Sequence, residues 1–172
     1  MIEVEIRSLL TDDDYNRLRK RLDAEAEFIG EELQETHYLH SDNDVRVQKG
    51  SKGKIWSKKG AMHSDAREEV EVFFDAEHFP RVLTIFKNTG HESKVVWKRL
   101  RREYSWEGVA VCLDDTEGYG RILELELLSE KGEEEKALKD LNQKIRELGV
   151  EPTPKAVFDA KYQEYVSRGP VV

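Results

Sequence analysis

Apolar and polar residues alternate with a period of two along much of the chain, as they do in β-strands that have one covered face. The run Glu3-Val4-Glu5-Ile6-Arg7 is a clear example, and seven later stretches repeat the pattern. Turn-like residues separate neighbouring stretches, for example Ser41-Asp42-Asn43 and the segment 50–53. The predicted strands are residues 2–8, 32–40, 44–49, 54–59, 67–74, 95–105, 109–114 and 121–128.

Four segments have the longer apolar period of an amphipathic helix. The first begins at Thr11, which is a good N-cap, and continues towards Glu27 with Tyr15, Leu18 and Leu22 on one side. The last begins at Thr153 with a proline at its first position. The predicted helices are residues 11–27, 75–88, 133–148 and 153–166.

Eight antiparallel strands form a large sheet, and a sheet of this size tends to curl or close. We therefore predict an α+β fold, with a closed or nearly closed antiparallel eight-stranded β-barrel and helices packed outside it. The apolar strand residues should face these helices, and the charged residues should line a water-filled tunnel. Residues 1–172 are expected to form one domain. The residues expected on the outer face are Val4, Ile6, Val45, Val47, Val70, Val72, Leu123, Leu125 and Leu127.

Three of the strands contain paired glutamates two residues apart, so that both carboxylates of a pair lie on one face. The pairs are Glu3 and Glu5, Glu69 and Glu71, and Glu124 and Glu126. A single pair is most simply a solvated strand face. Three pairs, with Arg7 and Arg67 in the same phase as the glutamates, instead favour an interior in which cations lie between the carboxylates.

Composition narrows the function classes. The net charge of −8, with 37% charged residues, argues against a nucleic-acid binder that works through bulk positive charge. The sequence has no apolar run near membrane-spanning length and no leader pattern, so a cytoplasmic monomer or homodimer without membrane or nucleic-acid partners is expected. Cys112, the single cysteine, is expected to be a small strand residue.

Several motifs, in order along the chain, resemble the CYTH or triphosphate tunnel metalloenzyme superfamily. Glu3-Val4-Glu5-Ile6-Arg7 is similar to its Glu-x-Glu-x-Lys signature, with arginine in place of lysine. The run 113–126, LDDTEGYGRILELE, is similar to its most specific motif. Weaker similarities lie at Asp44-Val45-Arg46-Val47-Gln48, Trp56-Ser57-Lys58-Lys59-Gly60, Arg67-x-Glu69-x-Glu71, Arg99-x-Arg101 and Lys161-Tyr162.

The resemblance implies a set of site residues. A triphosphate needs several cations, and hard Mg²⁺ or Mn²⁺ ions prefer carboxylate oxygens. Of the adjacent lysines Lys58 and Lys59, we predict Lys59 to face inward because it keeps phase with Ser57. The implied catalytic residues are Glu3, Glu5, Arg7 and Glu126. The implied substrate-binding residues are Arg7, Arg46, Lys59, Arg67, Arg99, Arg101 and Lys161. The implied metal ligands are Glu3, Glu5, Glu69, Glu71, Asp114, Glu124 and Glu126.

The function implied by the resemblance is metal-dependent hydrolysis of inorganic triphosphate, thiamine triphosphate or a nucleoside triphosphate. One alternative is a class IV adenylyl cyclase, in which the same tunnel directs the ribose hydroxyl of ATP to the α-phosphorus. A second alternative is a non-catalytic polyphosphate- or nucleotide-binding module. The sequence does not separate the two enzymes, because both use the same charged residues.

Overall fold

The structure, a computed structural model, describes residues 2–59 and 66–168, apart from the side chains of residues 59 and 66–68. Within these residues the chain forms eight β-strands and four α-helices, with a short 3-10 turn before the second helix. The strands are β1 (Ile2–Leu10), β2 (Glu27–Leu39), β3 (Asp44–Lys49), β4 (Gly53–Lys59), β5 (Ala66–Phe74), β6 (Ser93–Trp106), β7 (Val109–Thr116) and β8 (Gly120–Ser129). The helices are α1 (Asp12–Glu25), α2 (Phe79–Asn88), α3 (Glu134–Glu147) and α4 (Lys155–Ser167).

The eight described strands form one antiparallel sheet in the order β1-β5-β4-β3-β2-β6-β7-β8. β1 also pairs with β8, from Ile2 opposite Ser129 to Leu10 opposite Arg121, so the order closes into a ring. The pairing of β1 with β5 is much shorter and joins Glu3 to Arg67 and Val4 to Ala66. The predicted α+β class with an eight-stranded antiparallel sheet is confirmed. The pairing of β1 with β5 is the shortest in this sheet.

The first half of β2 was missed in the sequence, where the helix was extended to Glu27. In the structure, α1 ends at Glu25, and the residues from Glu27 pair with β6 through an irregularity between Phe28 and Gly30. That irregularity interrupts the alternation on which the prediction depended. The long β2–β6 ribbon extends the wall of the barrel beyond the predicted strand.

Two helices, α1 and α3, cover the outer face of β1, β6, β7 and β8. Val4, Ile6, Leu123 and Leu125 are buried there against both helices. This packing confirms that the apolar side of these strands faces outward, and it turns the alternate, charged residues towards the interior. The helical residues in this core include Leu18, Leu22, Leu141 and Ile145.

The outer face of β5 is not covered as expected. Val70 and Val72 remain 66% and 60% exposed, because among the described residues no helix packs over this strand. The helix next to this region, α2, packs instead on β3, where Val47 is buried with Leu39 and Phe79. The expectation of a covered outer face was therefore right for Val47 and wrong for Val70 and Val72.

The last helix, α4, also differs from the expectation that all helices pack outside the barrel. Its residues Phe158 and Tyr162 pack with Trp97 and Ile122, which lie on the inner face at one end of β6 and β8. The segment before α4 is tied to β1, since the backbone N–H of Thr153 donates to the carbonyl of Arg7 at 2.9 Å. α4 therefore covers one end of the barrel.

The turn between β7 and β8 brings another aromatic ring to the covered end. Gly118 and Gly120 have φ values of 70° and 124°, which glycine adopts without a steric penalty. Tyr119, between them, packs against Trp97 with the two ring centroids 4.5 Å apart and the ring planes tilted by 52°. None of the described helices has an apolar stretch long enough to cross a membrane.

Candidate functional site

A cavity of about 390 Å³ lies inside the barrel and is lined by the inward-facing residues of the strands. The alternation seen in the sequence builds it: where Val4 and Ile6 point to the helices, Glu3, Glu5 and Arg7 point inward. The other charged lining residues are Glu32, Arg46, Lys54, Lys58, Glu69, Arg99, Arg101, Glu103, Glu124 and Glu126. Its volume lies within the range of ordinary small-ligand sites.

One wall of the cavity is an arginine cluster, which consists of Arg99, Arg101, Asp114 and Glu124. Strand register places Arg101 directly opposite Asp114. Arg101 donates to both oxygens of Asp114, at 2.8 and 2.7 Å, and also to Glu124. Arg99 donates to the same aspartate at 2.8 Å. The two cations thus share two carboxylates in fixed, bidentate geometry.

The arginine cluster shows the electrostatics of a buried ion pair. Burial alone would raise the pKa of Glu124, but the guanidinium of Arg101 and, next, that of Arg99 lower it to about 2. Burial would lower the pKa of Arg101, and Asp114 more than reverses this effect. Both groups therefore stay charged over the physiological range of pH.

Asp114 was predicted as a metal ligand, but its position indicates a different role. It is 0% exposed and is not among the residues that line the cavity. Both of its oxygens accept hydrogen bonds from arginines. In this structure Asp114 lies behind Arg99 and Arg101 and holds them towards the cavity.

A second part of the cavity wall is a lysine cluster, which consists of Lys58, Glu3, Glu5 and Glu69. The ammonium of Lys58 lies 2.5 Å from Glu3, 3.0 Å from Glu69 and 3.6 Å from Glu5. Burial raises the pKa of Glu3, and Lys58 opposes this effect only in part. At Glu69 burial also raises the pKa, but Lys58 and then Lys54 lower it to below its usual value.

The prediction that Lys59 rather than Lys58 faces inward was wrong about Lys58, which lines the cavity. On β4 the inward residues are Lys54, Trp56 and Lys58, and Trp56 pairs with the inward Arg46. Ser57, which fixed the predicted phase, pairs with the outward Val45. The side chain of Lys59 is outside the described residues.

Glu126 is the least compensated acid in the cavity. Its carboxylate makes no hydrogen bond or ion pair to any residue that the structure describes. Burial raises its pKa to about 8; Arg101 opposes this shift, while the neighbouring glutamates, beginning with Glu124, add to it. Glu126 therefore favours its protonated form near neutral pH, and a divalent cation would compete with that proton for its oxygen atoms.

Two predicted cations lie at the covered end of the cavity. The guanidinium of Arg7 lies 4.8 Å from the centre of the Phe158 ring. Arg46 donates to Asp44 at 2.8 and 2.6 Å and lies 4.3 Å from the centre of the Tyr38 ring. Both arginines line the cavity, as predicted.

Three other predicted site residues are not assembled into the cavity wall by the described atoms. Glu71 has a side chain that is 42% exposed, and it pairs with Lys54. Lys161 lies over the ring of Tyr119 at 5.2 Å and does not line the cavity. The backbone of Arg67 pairs with that of Glu3, and its side chain lies outside the described residues.

Several cavity residues were missed in the sequence. Gln34 accepts from Arg99 at 2.8 Å and donates to Glu32 at 2.7 Å, and Gln48 accepts from Thr36 at 3.0 Å. Gln34 and Gln48 are an even number of positions from other inward residues of their strands, and this spacing could have identified them. The remaining missed residues are Tyr38, Lys54, Trp56, Phe73, Trp97, Glu103, Tyr119, Ile122, Phe158 and Tyr162.

The donor set fits a hard divalent cation. Glu3, Glu5, Glu69, Glu124 and Glu126 all present carboxylates to the same cavity. One potential ligand atom each from Cys112, Glu124 and Glu126 lies within 4.8 Å of the others. Burial strongly raises the pKa of the Cys112 thiol, which favours the neutral form, so the glutamates are the ligands suited to Mg²⁺ or Mn²⁺.

Comparisons with known proteins agree with this geometry. A candidate adenylate cyclase of Methanocaldococcus jannaschii is 28% identical over 163 residues, which cover 87% of this chain and 91% of that protein. A conserved protein of Pyrococcus furiosus has a similar structure, with a TM-score of 0.75 at 23% identity over 89% of this chain and 96% of that one.

A third similar structure is that of a Hippeastrum candidate adenylyl cyclase described as having a dominant triphosphatase activity. Its TM-score is 0.63 at 19% identity, with 92% of this chain and 95% of that chain covered. At this level of identity the likeness concerns the fold. The CYTH domain family model matches residues 1–157, and the chain therefore belongs to the CYTH domain family.

Proposed function

We propose that this protein hydrolyses a triphosphate with the help of Mg²⁺ or Mn²⁺, acting on inorganic triphosphate, thiamine triphosphate or a nucleoside triphosphate. The observation that carries the proposal is the pairing of two kinds of charge in one cavity. Carboxylates alone would repel a polyanion, and cations alone would bind it without a place for a metal. The Hippeastrum protein supports hydrolysis as the reaction of this fold.

The arginines are the groups that bind the phosphates. Arg99 and Arg101 are fixed by Asp114 and have little freedom to move, so they are preorganised for the oxygens of a phosphoryl group. Arg7 and Arg46 supply further positive charge at the covered end. Together they orient the chain of phosphates and stabilise the charge that spreads over its oxygens as the terminal bond breaks.

Glu3, Glu5, Glu124 and Glu126, with Glu69, are the residues that would hold the metal. When bound, the ion supplies Lewis-acid stabilisation of phosphate oxygens and favours the ionisation of water. With inorganic triphosphate, the water oxygen bonds to the terminal phosphorus, the bond from that phosphorus to the bridging oxygen breaks, and pyrophosphate leaves with the electron pair and takes up the proton that the water loses. Glu71, Asp114 and Lys161 are not needed for these roles.

A second candidate is a class IV adenylyl cyclase, which the name of the Methanocaldococcus jannaschii relative favours. A third is a polyphosphate- or nucleotide-binding module without turnover. The several glutamates that line the cavity argue against pure anion binding, because carboxylates weaken the attraction for a polyanion unless a further cation balances their charge. The cytoplasmic location and the monomeric or homodimeric state stay predictions.

A substrate panel tests the proposal. Phosphate release is measured with inorganic triphosphate, thiamine triphosphate and ATP, each with Mg²⁺ and with Mn²⁺, and the ATP products are separated into ADP and cyclic AMP. We expect metal-dependent phosphate release, and cyclic AMP as the main product would favour the cyclase instead.

The variant Glu126→Gln tests the metal role in the same assay. We expect its turnover to fall by at least about 100-fold, equivalent to roughly 2.7 kcal/mol of barrier. Glu103→Gln is the matched control, since this glutamate lines the cavity outside the predicted metal set. Unchanged turnover in Glu126→Gln would contradict the assigned chemistry.

A further inference from the structure

Lys58 occupies a position that the proposed metal also needs. Its ammonium lies within 4.0 Å of Glu3, Glu5 and Glu69, three of the carboxylates assigned to the metal. A divalent cation and an ammonium group attract the same oxygens, and their like charges repel each other at short range. Full engagement of Lys58 and full coordination of a metal by these three glutamates therefore exclude each other.

The arginine cluster has less of this conflict, because Arg101 contacts Glu124, which is also assigned to the metal, but makes two hydrogen bonds to Asp114, which is not needed for it. Arg101 is held by Asp114, which lies behind the cavity wall and is not among the lining residues. Arg101 can thus keep its partner while a ligand fills the cavity. Lys58, by contrast, ends in a compact point charge on a flexible stem, and its partners here are the glutamates that face the cavity.

A bound triphosphate gives Lys58 other partners. Phosphate oxygens carry concentrated negative charge and accept hydrogen bonds from ammonium groups readily. Once Lys58 turns to them, the oxygens that it contacted on Glu3, Glu5 and Glu69 become available to a divalent ion, while Glu69 keeps its contact with Lys54. The charge of the three carboxylates is then balanced by the metal instead of by the lysine.

We propose that Lys58 is a positioning residue that couples metal binding to triphosphate binding, by neutralising Glu3, Glu5 and Glu69 until a phosphate oxygen takes over its ammonium. The inference rests on the metal assignment of the proposed function. It implies that the metal binds weakly to the protein alone and more tightly when triphosphate is present. Because such coupling is reciprocal, the metal also strengthens triphosphate binding by the same factor.

Two calorimetric titrations on the full chain test the proposal. The first adds Mn²⁺ alone to the protein, and the second adds inorganic triphosphate in the presence of EDTA. In Lys58→Gln we expect Mn²⁺ to bind about tenfold tighter and triphosphate to bind about tenfold weaker, within the usual range of coupling between sites. Opposite shifts are the signature, because a merely misfolded variant would weaken both.

Lys54→Gln is the matched control. It removes the same charge from the same strand and the same cavity, and its ammonium contacts Glu69 and Glu71 but makes no ion pair with Glu3 or Glu5 in the described structure. We expect its Mn²⁺ affinity to change by less than about threefold, since all three carboxylates keep Lys58 and only Glu69 loses a second lysine. An equal gain in Mn²⁺ affinity in both variants would overturn the proposal.

The outcome is independent of turnover. Unchanged or weaker Mn²⁺ binding by folded Lys58→Gln would overturn the coupling role, even if the wild-type protein hydrolyses triphosphate. Opposite shifts in a protein that hydrolyses none of the substrates would keep the coupling role and remove the proposed function. Far-ultraviolet circular dichroism of each variant confirms that the compared proteins are folded.

Discussion

The arginine cluster and the lysine cluster line one cavity but differ in how their charges are balanced. In the first, two arginines share two carboxylates, and Asp114 is completely buried. In the second, three carboxylates share the ammonium of Lys58, and Glu69 also contacts Lys54 at the edge. The comparison shows that one barrel interior contains a fixed ionic framework and an acidic site with spare capacity for cations.

The largest expected effect comes from breaking the arginine cluster. Asp114→Ala leaves Arg99 and Arg101 without their shared acceptor, and we expect the free energy of unfolding to fall by about 3–5 kcal/mol. Denaturant titration measures the loss. Asp115→Ala, at a half-exposed neighbour on the same strand, is the control and should cost less than about 1 kcal/mol. Equal losses in the two variants would contradict the structural role of Asp114.

Removing an acid from the lysine cluster should reduce turnover much more than stability. Glu5→Gln takes away one of three carboxylates around one lysine, so we expect unfolding free energy to stay within about 1 kcal/mol of wild type. Turnover of triphosphate should fall by roughly 100-fold, or about 2.7 kcal/mol of barrier. Denaturation and phosphate release measured on one preparation give both numbers. A large loss of stability with normal turnover would show that the lysine cluster stabilises the fold and does not serve the reaction.

A neutral hydrogen bond between the clusters gives an intermediate reference. Thr36→Val removes the hydroxyl that donates to Gln48 at 3.0 Å and keeps the shape of the side chain. Both residues are buried, so we expect a loss of about 1 kcal/mol in unfolding free energy. Mn²⁺ affinity should not change, because no charge is altered. A shift in that affinity would mean that the wall between the clusters also tunes the metal site.

The smallest expected effect is on the outer face of β5. Val72 is largely exposed, and Val72→Thr should change the unfolding free energy by less than about 0.5 kcal/mol. The sequence-based expectation of a covered face would instead give a clear loss. Leu125→Ala, at a fully buried outward position of β8, is the contrasting variant and should cost about 2–5 kcal/mol.

Sequence reasoning worked where local chemistry repeats. Strict alternation placed Glu3, Glu5, Arg7, Arg99, Arg101, Glu124 and Glu126 on one face, and the structure brings them into one cavity. The helices were recognised from their caps and apolar stripes, which are also local signals. These parts of the fold depend on the period of two and on the need to cover apolar side chains.

The errors arose where the arrangement depends on residues distant in sequence. Lys58 and Lys59 are adjacent, so only the register of β4 against β3 decides which one points inward. Asp114 has the composition of a metal ligand, and only its burial behind Arg101 shows its role. Likewise, nothing in the apolar stripe of α4 says that it lies across the end of the barrel.

The placement of α4 has a consequence for how a ligand enters the cavity. Phe158 and Tyr162 occupy one end of the cavity, so α4 obstructs the passage of a guest molecule at that end. On the proposed function, this arrangement favours short phosphate chains, or the ends of longer ones, over the middle of a long polymer.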